Sequence, residues 1–393
     1  MNPKLALLTL CQGLLMVNNV VFIAINGLVG LALAPTAWMA TLPITGYVAG
    51  GALATGLVAR HQKRWGRQRT FQLGLIVAMV SAAACAVAAL NSNFWLLCAA
   101  TVVAGYYSAN GSLYRFASVE LVPDHGKEKA ISWVLAGGIL GAVVGPNLAA
   151  GTRDVLGAPF AGAYLALVGV AFLGLLVMSR IPFPELPGQG SKARTGRPLS
   201  EIARQPVFIV ATASCAIGYG VMNLLMAATP IAMQQHSHPF SDAALVLEWH
   251  VLGMFLPSFF TGKLVKRFGA LPVMTCGLVL NLACVVFALS GNDVMHFLGA
   301  LMVLGVGWNF LFIGGTTLAT ESYSPEERTQ AQSAIDFCVF ATMAITSFSS
   351  GALVTTGGWN AMNMGTLLPL ALLATALLWL AWLRRAPQPK PVG

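Results

Sequence analysis

Long apolar runs, separated by short polar segments, occupy most of the chain. About twenty apolar residues are enough for a helix to cross the hydrocarbon core of a bilayer. Twelve runs reach roughly that length. They cover residues 5–33, 38–59, 70–90, 94–118, 129–150, 159–180, 206–232, 242–264, 270–290, 294–318, 330–354 and 360–383. The pattern predicts an all-α membrane protein with twelve transmembrane helices.

Composition and charge agree with this prediction and give it an orientation. Hydrophobic residues make up 57% of the chain and charged residues only 9%, whereas about a quarter of an ordinary soluble domain is charged. The basic residues gather in alternate loops, and by our count only Arg153 falls on the opposite side. The positive-inside rule therefore predicts that both termini are cytoplasmic. It also accounts for the net charge of +9, so we expect no nucleic-acid partner and a lipid bilayer as surroundings.

A polar segment divides the predicted helices into two sets of six. Residues 182–205 are rich in proline, glycine and charge, which is typical of a linker. We therefore predict an N-terminal six-helix bundle at 1–181, a cytoplasmic linker at 182–205 and a C-terminal six-helix bundle at 206–393. A basic loop follows the second predicted helix of each half, at 56–69 and at 262–269. Such weak internal repetition is expected of a duplicated transporter.

Two motifs resemble the Major Facilitator Superfamily. The loop Gly262-Lys-Leu-Val-Lys-Arg-Phe-Gly269 fits that family's loop after helix two, with Lys266 in place of its acidic residue. The fifth predicted helix carries a glycine–proline pattern, which consists of Gly137, Gly138, Gly141, Gly145, Pro146 and Gly151. The resemblance implies two pseudo-symmetric six-helix bundles that work by alternating access. The glycine–proline pattern is common among the proton-driven antiporters of the family, and alone it favours export.

Four soft ligands occur at helical spacing in consecutive predicted helices. Met222 and Met226 are four residues apart in the seventh helix, and His250 and Met254 are four apart in the eighth. That spacing places each pair on one helix face. Thioether ligands select soft metals such as Cu(I), and His250 is the only histidine deep in any span. The spacing indicates a copper site. The alternative is a neutral His250 bonded to a backbone carbonyl, with the methionines filling the core.

This arrangement resembles the CcoA-type bacterial copper importers of the superfamily. The resemblance implies that Met222, Met226, His250 and Met254 bind copper as the transported substrate, with no resident cofactor. It also implies a multi-pass protein of the bacterial inner membrane that brings copper, as Cu(I), into the cytoplasm for assembly of cbb3-type cytochrome c oxidase. A cytoplasmic copper chaperone is then a candidate partner, and by analogy with the superfamily we expect a monomer.

Other polar or soft residues are weaker candidates. A metal relay could use residues near the four ligands or in the first helix, namely Cys215, Met233, His236, His238 and Met16. Each also has a plain structural role: the histidines as solvated loop residues, the others in packing. Asp336 and Glu248 are candidates for proton coupling. Alternatively, Asp336 pairs with a basic group at the helix ends, and Glu248 is an acidic residue that faces the membrane interface.

The main rival function is a proton-coupled exporter of drugs or small metabolites. In that case the glycine–proline helix and Asp336 serve coupling, and the methionines line a path for an apolar substrate. An enzyme is not expected, because the spans contain no nucleophile–base pair, phosphate loop or acidic metal cluster.

Overall fold

The structure is a computed structural model that describes residues 3–123, 127–183, 196–324 and 326–385. These residues form α-helices and short 3-10 turns, and no strand occurs among them. The first seven helices are α1 (Pro3–Leu33), α2 (Leu42–Leu90), α3 (Phe94–Gly111), α4 (Tyr114–Ala117), α5 (Lys127–Ala136), α6 (Gly138–Gly151) and α7 (Ala161–Met178). The others are α8 (Leu199–Ile202), α9 (Pro206–Gln235), α10 (Phe240–Phe255), α11 (Ser258–Phe268), α12 (Ala270–Ser290), α13 (Val294–Ala319), α14 (Arg328–Thr356), α15 (Gly358–Gly365) and α16 (Leu367–Arg385).

All twelve apolar runs coincide with helical segments, but the helices do not map one to one onto them. In the described ranges, nine helices are long and apolar enough to cross a membrane, or ten if α10 and α11 form one span bent by 40°. Helix α2 contains two predicted spans, and Gly66 between them has a φ of 77°, a left-handed conformation that favours glycine. Half of the predicted linker, residues 184–195, lies outside the described residues, so the bundle boundaries stay a prediction.

Glycines in α5 and α6 allow these helices to pack closely on α1. A Cβ at Gly141 would lie 2.3 Å from the Cβ of Met16, and one at Gly137 would lie 2.3 Å from the carbonyl oxygen of Thr9. At these distances only a residue without a side chain fits. The glycines of this pattern therefore let α6 pack closely on α1, and this packing fixes the position of Met16 against α6.

Ion pairs fasten the polar segments at the end of the bundle where α1 begins. The guanidinium of Arg67 donates to the carboxylate of Glu120, with Nε 2.7 Å from Oε2. Arg197 donates from Nε to the buried Glu327 carboxylate at 2.9 Å. The Arg197 side-chain bond, together with the Ser324 and Arg197 backbone N–H groups, lowers the pKa of Glu327 to about 2. Glu327 is thus ionised at neutral pH and ties the segment after the predicted linker to the start of α14.

Candidate substrate site and its closed end

The N-terminal helices α1–α7 and the C-terminal helices α9–α16 meet at one end of the bundle, where α1 ends and α2 begins. Here the Gly351 N–H donates to the hydroxyl of Thr41 at 3.0 Å. A Cβ at Gly27 of α1 would lie 3.3 Å from the Ile231 side chain of α9. The amide of Asn147 in α6 donates to the Glu248 carboxylate of α10 at 2.9 Å. We call this the closed end. Glu248 therefore joins the two sets of helices, and its role in proton coupling stays a prediction.

Toward the opposite end, two helices each carry a charged side chain. These are Arg115 of α4 and Asp336 of α14, and among the described residues no ion pair joins them. The Nε of Arg115 is buried without a hydrogen-bond partner, and Asp336 is exposed although it lies within a predicted span. Because an exposed carboxylate within a predicted span is costly in lipid, we infer that a cleft between α1–α7 and α9–α16 is open at this end.

Four aromatic side chains form a cluster on the face of the C-terminal helices that borders this cleft. The aromatic quartet consists of Tyr219 on α9, Phe255 on α10, and Trp308 and Phe312 on α13. Trp308 and Phe312 stack with ring centroids 5.4 Å apart and an interplanar angle of 8°. Tyr219 meets both of these rings edge-on, at 5.0 and 5.1 Å.

The quartet faces the N-terminal helices and is partly accessible. A Cβ at Gly138 of α6 would lie 3.5 Å from the ring of Phe255, and the cation of Arg115 interacts electrostatically with Tyr219. Tyr219, Phe255 and Phe312 are half-buried, whereas Trp308 is buried. The exposed parts of the three outer rings offer a planar, apolar surface to a molecule in the cleft.

Polar side chains lie on the helices that flank the cleft. In α2, Tyr47 donates its hydroxyl proton to Asn19 and accepts from the Asn18 amide at 3.3 Å. Asn19 is half-buried, as are Met16 and Ile23, and this spacing gives α1 one partly accessible face. On the C-terminal side, the Asn223 amide donates to the Ser347 hydroxyl at 2.8 Å. Uncharged amides and hydroxyls therefore lie on α1, α2 and α9, three of the helices that flank the cleft.

The predicted copper ligands are all buried, and His250 faces α13. Its Nδ1 lies 2.6 Å from the carbonyl oxygen of Leu301. Because a carbonyl can only accept, Nδ1 carries a proton, and the buried Nε2 is left without a partner. Met222, Met226 and Met254 are 4%, 4% and 8% exposed.

Helices α9 and α10 pack mainly on other helices rather than on each other. Helix α9 lies chiefly against α13 and α14, and α10 lies against α13 and α6. Within the described ranges, no cluster of three or more His, Cys, Asp or Glu side chains could hold a metal. The hydrogen bond from His250 to a backbone carbonyl is the geometry expected if His250 is a neutral core residue rather than a copper ligand. Copper binding by the four residues stays a prediction.

The weaker candidates occupy separate places. The thiol of Cys215 is buried and lies 3.9 Å from the Phe312 carbonyl oxygen, and Met233 is buried in the core. In the loop after α9, His236 Nδ1 lies 2.8 Å from the Ala232 oxygen and His238 Nε2 lies 2.7 Å from the Asn292 oxygen. Each histidine thus uses one ring nitrogen on a different backbone carbonyl, and Met16 packs against Gly141 of α6. Their relay roles stay predictions.

The aromatic quartet was missed by the sequence analysis. Trp308 and Phe312 are four residues apart and share a helix face, and this spacing was an available signal. Tyr219 and Phe255 come from two other helices, so only the tertiary structure brings the four rings together.

Comparisons with known proteins agree on the kind of protein. The profile of the Major Facilitator Superfamily matches residues 5–247 and 210–393. The riboflavin transporter RfnT of Brucella anthropi is 40% identical over 362 residues, 92% of this chain and 91% of that protein. The uncharacterised transporter YddS of Bacillus subtilis is 28% identical over 87% of this chain and 82% of its own length.

Solved structures share the fold at low sequence identity. A bacterial homologue of the human lysosomal transporter Spinster, in an inward-facing and occupied conformation, superposes with a TM-score of 0.73 and 16% identity. The match covers 99% of this chain and 98% of that one. A mutant of the nucleoside transporter NupG also gives a TM-score of 0.73, with 13% identity over 96% and 98% of the two chains.

Proposed function

The chain belongs to the Major Facilitator Superfamily, and from that premise we propose that it transports a small planar aromatic metabolite, with riboflavin as the first candidate. Family membership makes it a multi-pass membrane transporter rather than an enzyme. The riboflavin transporter of Brucella anthropi resembles it over nearly its whole length. Similarity of that extent supports a related substrate, although it does not by itself transfer one.

The aromatic quartet is the observation that carries the proposal. Riboflavin contains a flat three-ring isoalloxazine, and aromatic pairs gain about 0.5–1.5 kcal/mol beyond the area they bury. Trp308 and Phe312 are nearly parallel, and the half-buried Phe312 and Tyr219 border the cleft. A flat ligand placed against these rings extends the existing stack without any rearrangement of the backbone.

The polar groups of riboflavin also suit the cleft. Its ring system has a uracil-like edge and its side chain is a polyol, so it is uncharged at neutral pH but has many donors and acceptors. Among the amides and hydroxyls near the cleft, Asn19 is half-buried and can exchange hydrogen bonds with such groups at little desolvation cost, whereas Tyr47 and Asn223 are buried and already paired. One unpartnered donor, the Arg115 Nε, can satisfy a ring carbonyl.

The comparisons favour transport of a small metabolite over copper import. They give no support to copper or to cytochrome oxidase assembly, and a relative that is 40% identical over 92% of this chain is a riboflavin transporter. The rival function inferred from the sequence was a proton-coupled exporter of drugs or small metabolites, and its small-metabolite part fits better than copper import. Direction of transport and proton coupling through Asp336 or Glu248 remain predictions.

Alternating access follows from the charges and contacts at the two ends. In this structure the closed end is held by the Thr41–Gly351 and Asn147–Glu248 hydrogen bonds. Opening it breaks those bonds and brings the other ends of the helices together. Arg115 and Asp336 then approach and replace part of the lost energy with an ion pair.

Binding of riboflavin to the purified protein tests the proposal. Stacking on tyrosine and tryptophan quenches flavin fluorescence, so we expect saturable quenching as protein is added to riboflavin. In a parallel titration with Cu(I), buffered by a chelator, we expect Met222→Ile to behave like the wild type, with no site-specific binding that depends on Met222. Saturable Cu(I) binding that is lost in that variant, together with an absence of riboflavin quenching, would favour the copper-import hypothesis instead.

A further inference from the structure

We propose that a second cavity, at the closed end, binds a small amphipathic organic anion with an aromatic or apolar body and one phosphate or carboxylate. The cavity has a volume of about 430 Å³, which is within the range of small-molecule pockets. None of the aromatic quartet lines it. The proposal therefore concerns a separate site, and it does not depend on riboflavin being the substrate.

A cation in the wall of the cavity lacks a full set of partners. Arg153 lines the cavity, and its Nε is buried without a hydrogen-bond partner. The carboxylate of Asp154 lies 3.7 Å from this nitrogen, which is too far for a hydrogen bond. The Arg153 side chain is 39% exposed and Asp154 is 77% exposed, so water screens this pair and reaches the terminal nitrogens of Arg153, while Nε stays shielded. A phosphate or carboxylate in the cavity would supply the missing acceptor through a charge-assisted hydrogen bond.

The turn that carries Arg153 is held in a strained conformation. Phe160 has a φ of 64°, in the left-handed region that bulky side chains rarely adopt. Its N–H donates to the carbonyl oxygen of Arg153 at 2.7 Å, and the Arg153 guanidinium lies 5.4 Å from the centroid of its ring. Strain of this kind persists where the surroundings fix it, commonly at ligand sites.

The other two left-handed non-glycine residues need no such explanation. Ser92 and Ser237 directly follow the last turns of α2 and α9, where this conformation is an ordinary helix ending. Phe160 instead precedes α7. Among the described residues, Phe160 is the one non-glycine residue whose left-handed backbone conformation is not explained by the end of a helix.

The rest of the lining suits an amphipathic body and joins both sets of helices. Apolar side chains come from α1 and the end of α2, among them Leu28, Leu33 and Leu90, while Gln234, His238 and Phe240 come from the C-terminal helices. Phe160 and Phe240 meet edge-on across this boundary, with centroids 4.8 Å apart. A ligand that contacts both sides binds this conformation better than one in which they separate. It therefore stabilises the closed end.

Calorimetric titration of the purified protein with 1-naphthyl phosphate tests the site. We expect saturable binding with one site per chain, and a melting temperature that rises with ligand. Arg153→Gln should weaken binding by about tenfold or more, because it removes the charge-assisted hydrogen bond. The matched control Arg180→Gln removes one positive charge from an exposed residue after α7, outside the cavity lining, and should leave the affinity within about twofold. Neutral 1-naphthol should bind about tenfold more weakly than the phosphate.

A second variant keeps the test decisive if Arg153→Gln does not fold. Ala32 is an exposed residue in the wall of the cavity, so Ala32→Trp should fill the space and abolish binding while the melting temperature of the free protein is retained. The absence of saturable binding to the wild type would overturn the proposal. So would binding that is unaffected by both Arg153→Gln and Ala32→Trp.

Discussion

Replacing Phe312 with alanine is expected to weaken riboflavin binding by about tenfold to a hundredfold. The change removes a ring that stacks on Trp308 and meets Tyr219 edge-on. Loss of stacking with the ligand, together with loss of buried apolar area, costs about 1.5–3 kcal/mol. Titration of riboflavin fluorescence with the purified variant measures the effect directly.

Two matched variants separate a specific contact from general damage. Phe312→Tyr keeps a ring of the same shape and should stay within about threefold of the wild-type affinity. Phe259→Ala makes the same chemical change at a ring of α11 that is 61% exposed and outside the quartet, and it should leave binding unchanged. An affinity that falls equally in Phe312→Ala and Phe259→Ala would remove the quartet from the binding site.

The largest structural effect is expected from Gly50→Leu. Helices α2 and α3 cross with their backbones in contact, and a Cβ at Gly50 would lie 2.0 Å from the carbonyl oxygen of Val102. Across the same contact, a Cβ at Gly105 would lie 2.3 Å from the Gly51 nitrogen. A backbone cannot rotate away as a side chain can. The two helices must separate, at a cost of about 4 kcal/mol or more.

The measurement is the yield of monodisperse protein and its melting temperature, compared with Gly56→Leu. Gly56 lies on the same helix, and a Cβ there would meet nothing within 4 Å. That control should be neutral or slightly stabilising, since leucine forms helix better than glycine by about 0.5–1 kcal/mol. Equal behaviour of the two variants would mean that α2 and α3 are not packed backbone to backbone.

The fold could be predicted from the sequence because the membrane imposes a simple rule. Backbone polar groups in a bilayer must be satisfied within helices, so each apolar run became helical. The breaks were harder to place. The two spans within α2 join at Gly66, where the backbone is non-helical and the helix kinks, and the run at 242–264 is interrupted before Ser258. Hydropathy reports how apolar a segment is, and the position of a bend depends on local backbone geometry.

The site was less predictable, because residue spacing defines a helix face but not the neighbour that the face meets. His250 and Met254 share a face as predicted, but His250 bonds to Leu301, which is 51 residues away in the sequence. The aromatic quartet likewise draws on three helices. The effect of the glycines in the fifth predicted span, by contrast, could be predicted from the sequence. Absence of a side chain allows close approach to any neighbour, so their effect could be predicted without knowing that the neighbour is α1.

Exchange of riboflavin across a membrane is the most direct test of the proposed function. Proteoliposomes containing the purified protein are loaded with unlabelled riboflavin and diluted into a trace of radiolabelled riboflavin, and the label inside is followed with time. This counterflow requires no assumption about the driving force or direction. We predict a transient accumulation of label that is absent from protein-free liposomes and reduced in Phe312→Ala. Accumulation no greater than in protein-free liposomes, with protein shown to be folded, would contradict riboflavin transport.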